Sequence, residues 1–186
     1  SKSLGNFFTL RDLLAKGYAP MAIRYSLLSV HYRQPLNFTL EGLKEAGEAI
    51  KKIDECYWHC QSLNSYAGIH HEKFETIYGN ADSDPYLSLE KRIKGNLDGI
   101  SMTLASDLNV ALALRDLFIG IKEINLSLSR CTMGRNNLKI ALNYFQEIDR
   151  IFGLGITSNE TIPVNELARL CDHREKKEFA CADILK

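Results

Sequence analysis

The sequence lacks a charge excess of either sign, a long apolar run and any tract of low complexity. Its 186 residues include 23 Lys and Arg against 23 Asp and Glu. This balance excludes a uniformly basic nucleic-acid coat and a highly charged disordered tail. No stretch approaches the roughly 18 apolar residues of a membrane helix, and no apolar signal segment opens the chain. We therefore expect a soluble, cytoplasmic protein with no membrane partner.

Cysteine and proline are also scarce, at five and four residues. Because an odd number of cysteines spread over a long chain is unlike a disulfide framework, we expect reduced thiols. Cys56, His59 and Cys60 lie close together, but zinc needs a fourth ligand, and a buried thiol pair in a helix seam is the simpler interpretation. We predict no metal site here. The sequence contains no glycine-rich phosphate-binding loop and no Ser-His-Asp pattern. Nothing in it therefore indicates a self-contained active site.

Apolar residues recur at spacings of three and four through most of the chain, which predicts an all-α protein. Four long helices are expected, each with an apolar face that packs into the bundle. These faces run from Leu43 to Cys60, Leu89 to Leu104, Val110 to Leu128, and Leu138 to Phe152. This spacing is typical of an antiparallel helical bundle whose helices cross at about 20°. The pattern by itself requires no ligand.

Shorter elements flank the bundle. Thr9 and Asp12 form a capping-box pattern that predicts a short helix, and Pro20 suits the first position of a second one. Thr39 is predicted to cap the first bundle helix, and Gly153 to end the last. Residues 66–85 have no sustained period, so a long exposed connection is expected there. The predicted segments are residues 1–8 as a loop remnant, 9–38 as a helix-link-helix segment, 39–153 as the bundle, and 154–186 as a linker with C-terminal helices.

Lys and Arg fall into four clusters, each of which suits either a phosphate-binding surface or an ordinary solvated helix face. The clusters are Lys44 with Lys51 and Lys52, Lys91 to Lys94, Arg130 with Arg135 and Lys139, and Arg169 to Lys177.

Four stretches, in order, resemble motifs of one enzyme family. Residues 1–6, Ser-Lys-Ser-Leu-Gly-Asn, are similar to the end of the Lys-Met-Ser-Lys-Ser signature of class I aminoacyl-tRNA synthetases. Residues 31–38, 106–109 and 169–183 are similar to three later motifs of cysteinyl-tRNA synthetase. The resemblance covers the chain from end to end. It places the catalytic domain, with its zinc ligands, before Ser1, and a last short α/β segment after Lys186.

The resemblance implies a fold and an activity. The bundle would be a DALR-type anticodon-binding domain, and residues 9–38 a stem-contact segment. The longer enzyme would use ATP with Mg²⁺ and a zinc ion to attach cysteine to cysteine tRNA, as a monomer, whereas this chain alone would be inactive. The implied ATP-binding residues are Ser1, Lys2 and Ser3. The implied tRNA-binding residues are Arg24, His31, Arg33, Asn109, Arg169, Arg174 and Lys177.

Other interpretations stay open at this point. Arg24 and Arg33 either contact tRNA or pair with an acid that braces the junction before the bundle. His31, near a helix C-terminus, suits the helix dipole equally well. For the whole chain, the alternatives are a non-catalytic helical interaction module and the related ligase that joins cysteine to an amino sugar in mycothiol synthesis.

Overall fold

The computed structural model describes residues 8–78 and 88–157, and in these residues the protein is all-α. The predicted all-α fold is confirmed. The helices of the described part are α1 (Leu10–Ala15), α2 (Pro20–Leu28), α3 (Leu40–Ile69), α4 (His71–Tyr78), α5 (Leu89–Ala105), α6 (Val110–Ser129) and α7 (Arg135–Phe152). Among these residues, no helix has both the length and the apolar character needed to cross a membrane. The DALR-type name and the segment boundaries stay predictions.

Local side-chain chemistry fixes where the helices begin and end. Thr9 and Asp12 form the predicted capping box at α1, where the Asp12 N–H donates to Thr9 Oγ1 at 3.2 Å and the Thr9 N–H donates to Asp12 Oδ2 at 2.8 Å. Thr39 Oγ1 accepts from the Gly42 N–H at 3.0 Å and starts α3. Gly153, with φ 61°, ends α7 in the left-handed conformation that glycine adopts without steric cost. The sequence signals for these boundaries are therefore confirmed.

Consecutive long helices run antiparallel. Arg92 near the start of α5 lies 3.3 Å from Glu123 near the end of α6, and Thr103 near the end of α5 donates at 3.3 Å to Asp116 near the start of α6. In the same way, the first residue of α7, Arg135, donates at 2.6 Å to the Ala67 carbonyl near the end of α3. The predicted antiparallel bundle is confirmed.

The buried side chains form two clusters that share α3. The larger cluster lies between α3, α5, α6 and α7, with Ile53, Leu117 and Phe145 each 0% exposed. The smaller one packs α1 and α2 against the start of α3, through Ile23 and Leu43 among others. We call the end of the bundle that carries α1 and α2 the proximal end, and the end where α3 meets α7 at Ala67 the distal end.

The predicted exposed connection over residues 66–85 is wrong for residues 66–78. Here α3 continues to Ile69 and α4 follows, with Phe74 fully buried. A Cβ built at Gly68 would meet open space, so this glycine costs the helix only about 1 kcal/mol of propensity. The buried Phe74 side chain contributes more than that to stability. Residues 79–85 of the predicted connection lie outside the described residues.

Gly120 on α6 leaves room for the Tyr144 side chain, which reaches across from α7. A Cβ built at this position would lie 2.7 Å from Asn96 Oδ1 and closer still to the hydroxyl of Tyr144. That hydroxyl is buried and lies 2.9 Å from Asn96 Oδ1 and 3.1 Å from the Leu117 carbonyl oxygen. Burial also raises the pKa of Tyr144. Gly120 thus makes room for a buried polar contact that joins α5, α6 and α7.

We expect Gly120→Ala to lower the free energy of unfolding by about 2 to 4 kcal/mol, because the new methyl group displaces the Tyr144 hydroxyl from its hydrogen bonds. Urea denaturation followed by circular dichroism measures the loss. Gly95→Ala is the matched control, since a Cβ at Gly95 meets open space on α5; this change should stabilise the protein by about 0.5 to 1 kcal/mol. Equal effects of the two substitutions would contradict the proposed role of Gly120.

Candidate functional site

Two of the sequence motifs meet at the proximal end of the bundle. Asp107, between α5 and α6, accepts hydrogen bonds on Oδ1 from the Tyr32 hydroxyl at 2.6 Å and from Arg33 Nη2 at 2.9 Å. Arg33 Nε also donates to the Tyr32 hydroxyl oxygen at 2.8 Å, and His31 Nε2 lies 3.8 Å from Asp107 Oδ2. We call these four residues the clasp. It joins the link after α2 to the loop that starts α6.

The backbone of the α5–α6 loop is what points Asp107 at the clasp. Asp107 and Leu108 have φ values of 59° and 49°, in the left-handed region that residues other than Gly, Asn and Asp rarely adopt. Asn109 then ends the loop, because its Oδ1 accepts the Leu112 N–H at 3.1 Å and caps α6. The Asn109 cap on one side and the clasp contacts of Asp107 on the other therefore hold these two residues in their left-handed backbone conformation.

The clasp side chains also stack on one another. The His31 and Tyr32 rings are 4.9 Å apart, and the Arg33 guanidinium lies 5.4 Å from the centroid of the Tyr32 ring. The hydrogen bond that Tyr32 donates to Asp107 raises the pKa of Tyr32, against the opposing effect of Arg33. The Arg33 side chain remains 66% exposed. The clasp is thus an ordered, surface-facing group of aromatic and cationic side chains.

Arg24 makes a second contact across the proximal end. Its Nε donates at 3.0 Å to the carbonyl oxygen of Phe152, the last residue of α7. The guanidinium lies against Gly153, where a Cβ would come within 2.8 Å of Nη2. Arg24 therefore connects α2 to the C-terminus of α7 by satisfying a helix-end carbonyl.

The structure places four predicted tRNA-binding residues at this one end of the bundle: Arg24, His31, Arg33 and Asn109. Arg33 pairs with an acid, as one of the two sequence interpretations expects, whereas Arg24 contacts a carbonyl oxygen instead. Their contacts with tRNA stay predictions. The remaining predicted site residues, Ser1, Lys2, Ser3, Arg169, Arg174 and Lys177, lie outside the described residues.

The basic clusters of the bundle divide into internal and exposed members. Arg92 lies 3.3 Å from Glu123, and Arg135 donates to Glu75 at 2.8 Å as well as to the Ala67 carbonyl, so both arginines hold helices together. Several other cations at the distal end are exposed and form no ion pair with the described acids, and five of them lie on α5, α6 or α7 or directly after α6. We call them the distal cations: Lys91, Lys94, Lys122, Arg130 and Lys139.

Sequence reasoning missed Lys122, because this lysine is isolated between apolar residues and Glu123. Only the antiparallel packing of α5 against α6 brings it to the same end of the bundle as Lys91 and Lys94. A helical-wheel count of exposed positions on α6 would have marked it as solvent-facing, but would not have identified its neighbours.

The two bundle cysteines do not fit the zinc ion that the family resemblance implies. Cys56 and Cys60 are free and buried in the seam, as predicted. The hydrogen bond with Cys60, together with burial, raises the pKa of the Cys56 thiol, whereas zinc binds thiolate. No group of three or more His, Cys, Asp or Glu side chains in the described part could hold a metal ion. The expectation of reduced thiols is wrong for Cys131, which is disulfide-bonded; counting cysteines could not reveal which ones the fold brings into bonding range.

We expect Asp107→Asn to lower the pKa of Tyr32 toward its ordinary value. Asparagine tolerates the left-handed backbone but carries no charge to disfavour the tyrosinate. NMR titration of the Tyr32 Cζ carbon measures the shift. Asp98→Asn, on the exposed surface of α5, is the charge-matched control and should leave Tyr32 unchanged. An unchanged Tyr32 titration in Asp107→Asn would show that the clasp does not form in solution.

Comparison with known proteins shows a family match in the first part of the chain. The family described as tRNA synthetases class I (C) catalytic domain matches residues 1–49. Within the described residues, this match covers α1, α2, the clasp residues 31–33 and the start of α3. The sequence shared with that family therefore ends inside the helix that both hydrophobic clusters use.

Curated relatives match the chain over its whole length. A protein named Cysteine–tRNA ligase from Brachyspira hyodysenteriae is 33% identical over 196 residues, which is 100% of this chain and 38% of the relative. Proteins of the same name from Chlamydia caviae and Solibacter usitatus are 31% and 33% identical, again over 100% of this chain and over 37% and 38% of the relatives.

The chain thus spans a little over a third of the length of these relatives. Their shared name favours the ligase interpretation over a non-catalytic interaction module and over an amino-sugar ligase. The end-to-end matches and the four ordered motifs agree: over its whole length the chain is similar to part of the cysteine–tRNA ligases, and its residues 1–49 match a family of class I tRNA synthetases.

Proposed function

We propose that this chain is the tRNA-binding part of a cysteine–tRNA ligase and that the distal cations hold phosphates of the tRNA. The observation that carries the proposal is the exposure of these five cations on one end of the bundle, in a chain whose total charge is balanced. Phosphate contacts supply most of the affinity of proteins for nucleic acids, and they depend on local cation density rather than on net charge.

Ion pairs inside the bundle support the choice of the distal cations as the phosphate-binding residues. Arg92 and Arg135 satisfy acids and a carbonyl within the bundle, so their charges are largely compensated. The lysines around them have no such partner among the described acids. A polyanion approaching the distal end would therefore meet positive charge that the protein itself has not neutralised.

The proximal contacts suit a second task, which is to fix the bundle relative to the rest of the enzyme. Residues 1–49 resemble a catalytic-domain family, and the clasp and Arg24 hold this part of the chain on the bundle. A tRNA that reaches both a reaction centre and a distant binding surface needs a rigid connection between them, since misplacement by about 1 Å can cost roughly a hundredfold in rate. Arg33 remains exposed enough to contact a phosphate as well.

For the longer protein, we propose ATP-dependent attachment of cysteine to its tRNA. This rests on the name of the relatives and on the resemblance of Ser1, Lys2 and Ser3 to the class I signature. A zinc ion and Mg²⁺ would be held outside the described residues, because Cys56 and Cys60 do not provide a zinc site. Cysteine tRNA is the proposed partner.

We expect the double substitution Lys91→Gln and Lys94→Gln to weaken binding of a cysteine tRNA transcript by about tenfold. It should also reduce the slope of log affinity against log salt by roughly 1.5, because each lost phosphate contact releases fewer counterions. Filter binding across a salt series measures both quantities.

The matched control is Lys44→Gln with Lys52→Gln, two exposed lysines on α3 that lie away from the distal end. This pair should leave the affinity within about twofold, as expected for cations outside the contact surface. Equal losses in the two double variants would contradict the distal site. Equal affinity of the unmodified chain for an unrelated tRNA would contradict selective tRNA binding.

A further inference from the structure

Exposed leucine side chains gather at the proximal end of the bundle. Most leucines of the described residues are buried or half-buried, but five are exposed, by 39% to 62%. All five lie on α1, on α2, in the link after α2 or in the loop before α6. We call them the proximal leucines: Leu10, Leu14, Leu27, Leu36 and Leu108.

The apolar side of α1 is wider than the surface on which this helix packs. Leu10 and Leu14 are four residues apart and share one face of the helix, whereas Leu13 is its only buried residue. The capping box of Thr9 and Asp12 stabilises this six-residue helix without using the two exposed leucines. α1 therefore presents an ordered apolar face that the described residues leave largely uncovered.

Leu108 is exposed in a backbone conformation that is costly for a leucine. Its φ of 49° lies in the left-handed region, and its side chain is 62% exposed. The clasp contacts of Asp107 and the Asn109 cap hold this conformation. Within the described residues the Leu108 side chain gains little burial in return for the strain. Strained residues that the surrounding structure holds in place tend to occur where a partner makes contact.

The two ends of the bundle therefore differ in chemistry. The distal end carries the distal cations, whereas the proximal end carries every exposed leucine of the described residues. RNA offers phosphates and hydroxyl groups to cations and polar groups, and its unpaired bases stack on aromatic rings and guanidinium groups. Aliphatic side chains provide none of these contacts. Exposed leucines gathered at one end fit another protein surface instead, because burial of apolar area favours such an interface.

The family match indicates which protein surface this is. Residues 1–49 match a family described as a catalytic domain, and they contain four of the five proximal leucines. A stretch of this length is below the usual size of a domain, and the chain spans only 38% of a relative such as the one from Brachyspira hyodysenteriae. Because the parts of one domain share a hydrophobic core, apolar side chains that the bundle leaves uncovered are expected to pack on the rest of the catalytic domain.

We propose that the proximal leucines are the surface on which the rest of the catalytic domain docks in the longer protein. Leu108 extends this surface from the family segment onto the bundle itself. The bundle then contacts the catalytic domain directly, and not only through the chain that connects them. The clasp contributes by holding Leu108 in its exposed position. The inference rests on the proposed function in one respect, which is that the chain is part of a longer ligase.

Cysteine labelling of the longer ligase and of the 186-residue chain tests the contact. In Leu14→Cys and in Leu108→Cys, the new thiol should react with a maleimide about tenfold more slowly in the longer ligase, because labelling there requires the docked surfaces to separate. Ile119→Cys is the matched control, since Ile119 is 47% exposed and lies well along α6 from Leu108. It should label at the same rate in both proteins. Peptide mass spectrometry assigns each label to its cysteine.

Three results would overturn the proposal. The first is equal labelling of Leu14→Cys and of Leu108→Cys in the two proteins. The second is labelling in the 186-residue chain that slows as its concentration rises, which would assign the leucines to a second copy. The third is labelling that slows when a cysteine tRNA transcript is added to the 186-residue chain, which would assign them to RNA.

The double substitution Leu10→Ser and Leu14→Ser tests the consequence for the enzyme. In the longer ligase it should lower kcat/KM for aminoacylation of the tRNA by about tenfold, because the bundle no longer holds the tRNA at a fixed position. Ile119→Ser is the control and should keep the normal value. Unchanged aminoacylation in the double variant would contradict a docking role.

The two proposals can fail separately. In the 186-residue chain, the double substitution should leave both the thermal midpoint and the affinity for the tRNA transcript unchanged, because both leucines are exposed there and the distal cations are intact. A 186-residue chain that binds no tRNA would refute the proposed phosphate site, whereas the labelling rates would still decide whether the proximal leucines are covered in the longer protein.

Discussion

The packing of α3 is the constraint on which the rest of the structure depends. This 30-residue helix supplies buried side chains to both hydrophobic clusters, with Leu43 in the proximal one and Ile53 and Cys60 in the bundle. An isolated helix of marginal propensity is held mainly by such tertiary burial. Because one rigid element belongs to both clusters, α1 and α2 cannot move independently of the bundle without exposing the Leu43 side chain. The clasp and Arg24 then add directional contacts to an arrangement that apolar burial already favours.

Arginine and lysine have separate tasks in this framework. Arg24, Arg92 and Arg135 each bind a carbonyl or carboxylate of another helix, which uses the several fixed donors of the guanidinium. Lysines such as Lys91 and Lys94 remain on the surface, where a flexible ammonium suits contact with a phosphate. The balanced net charge of the chain therefore conceals an internal set of cations that stabilises the fold and an external set that is available to a partner.

Much of the fold could be predicted from the sequence, because the signals involved are local. Apolar spacing identified the four long helices, and Thr9, Pro20, Thr39 and Gly153 marked helix ends through hydrogen bonds or backbone angles that span at most four residues. The prediction for residues 66–78 was wrong because this stretch shows no sustained apolar period, whereas Phe74 is buried against residues far along the chain, such as Arg135 at the start of α7. The candidate site residues could be named from the sequence, but the residues that they contact in the fold could not.

The sequence by itself determined the helices, their caps and the motifs that relate the chain to a ligase family, since each of these is written in neighbouring residues. Only the tertiary structure decided that Arg33 and Tyr32 bind Asp107, that Arg24 closes the end of α7, and that Lys122 joins Lys91 and Lys94. These pairings join residues up to 128 positions apart. Their geometry comes from helix packing around a shared core, which residue spacing along the chain does not contain.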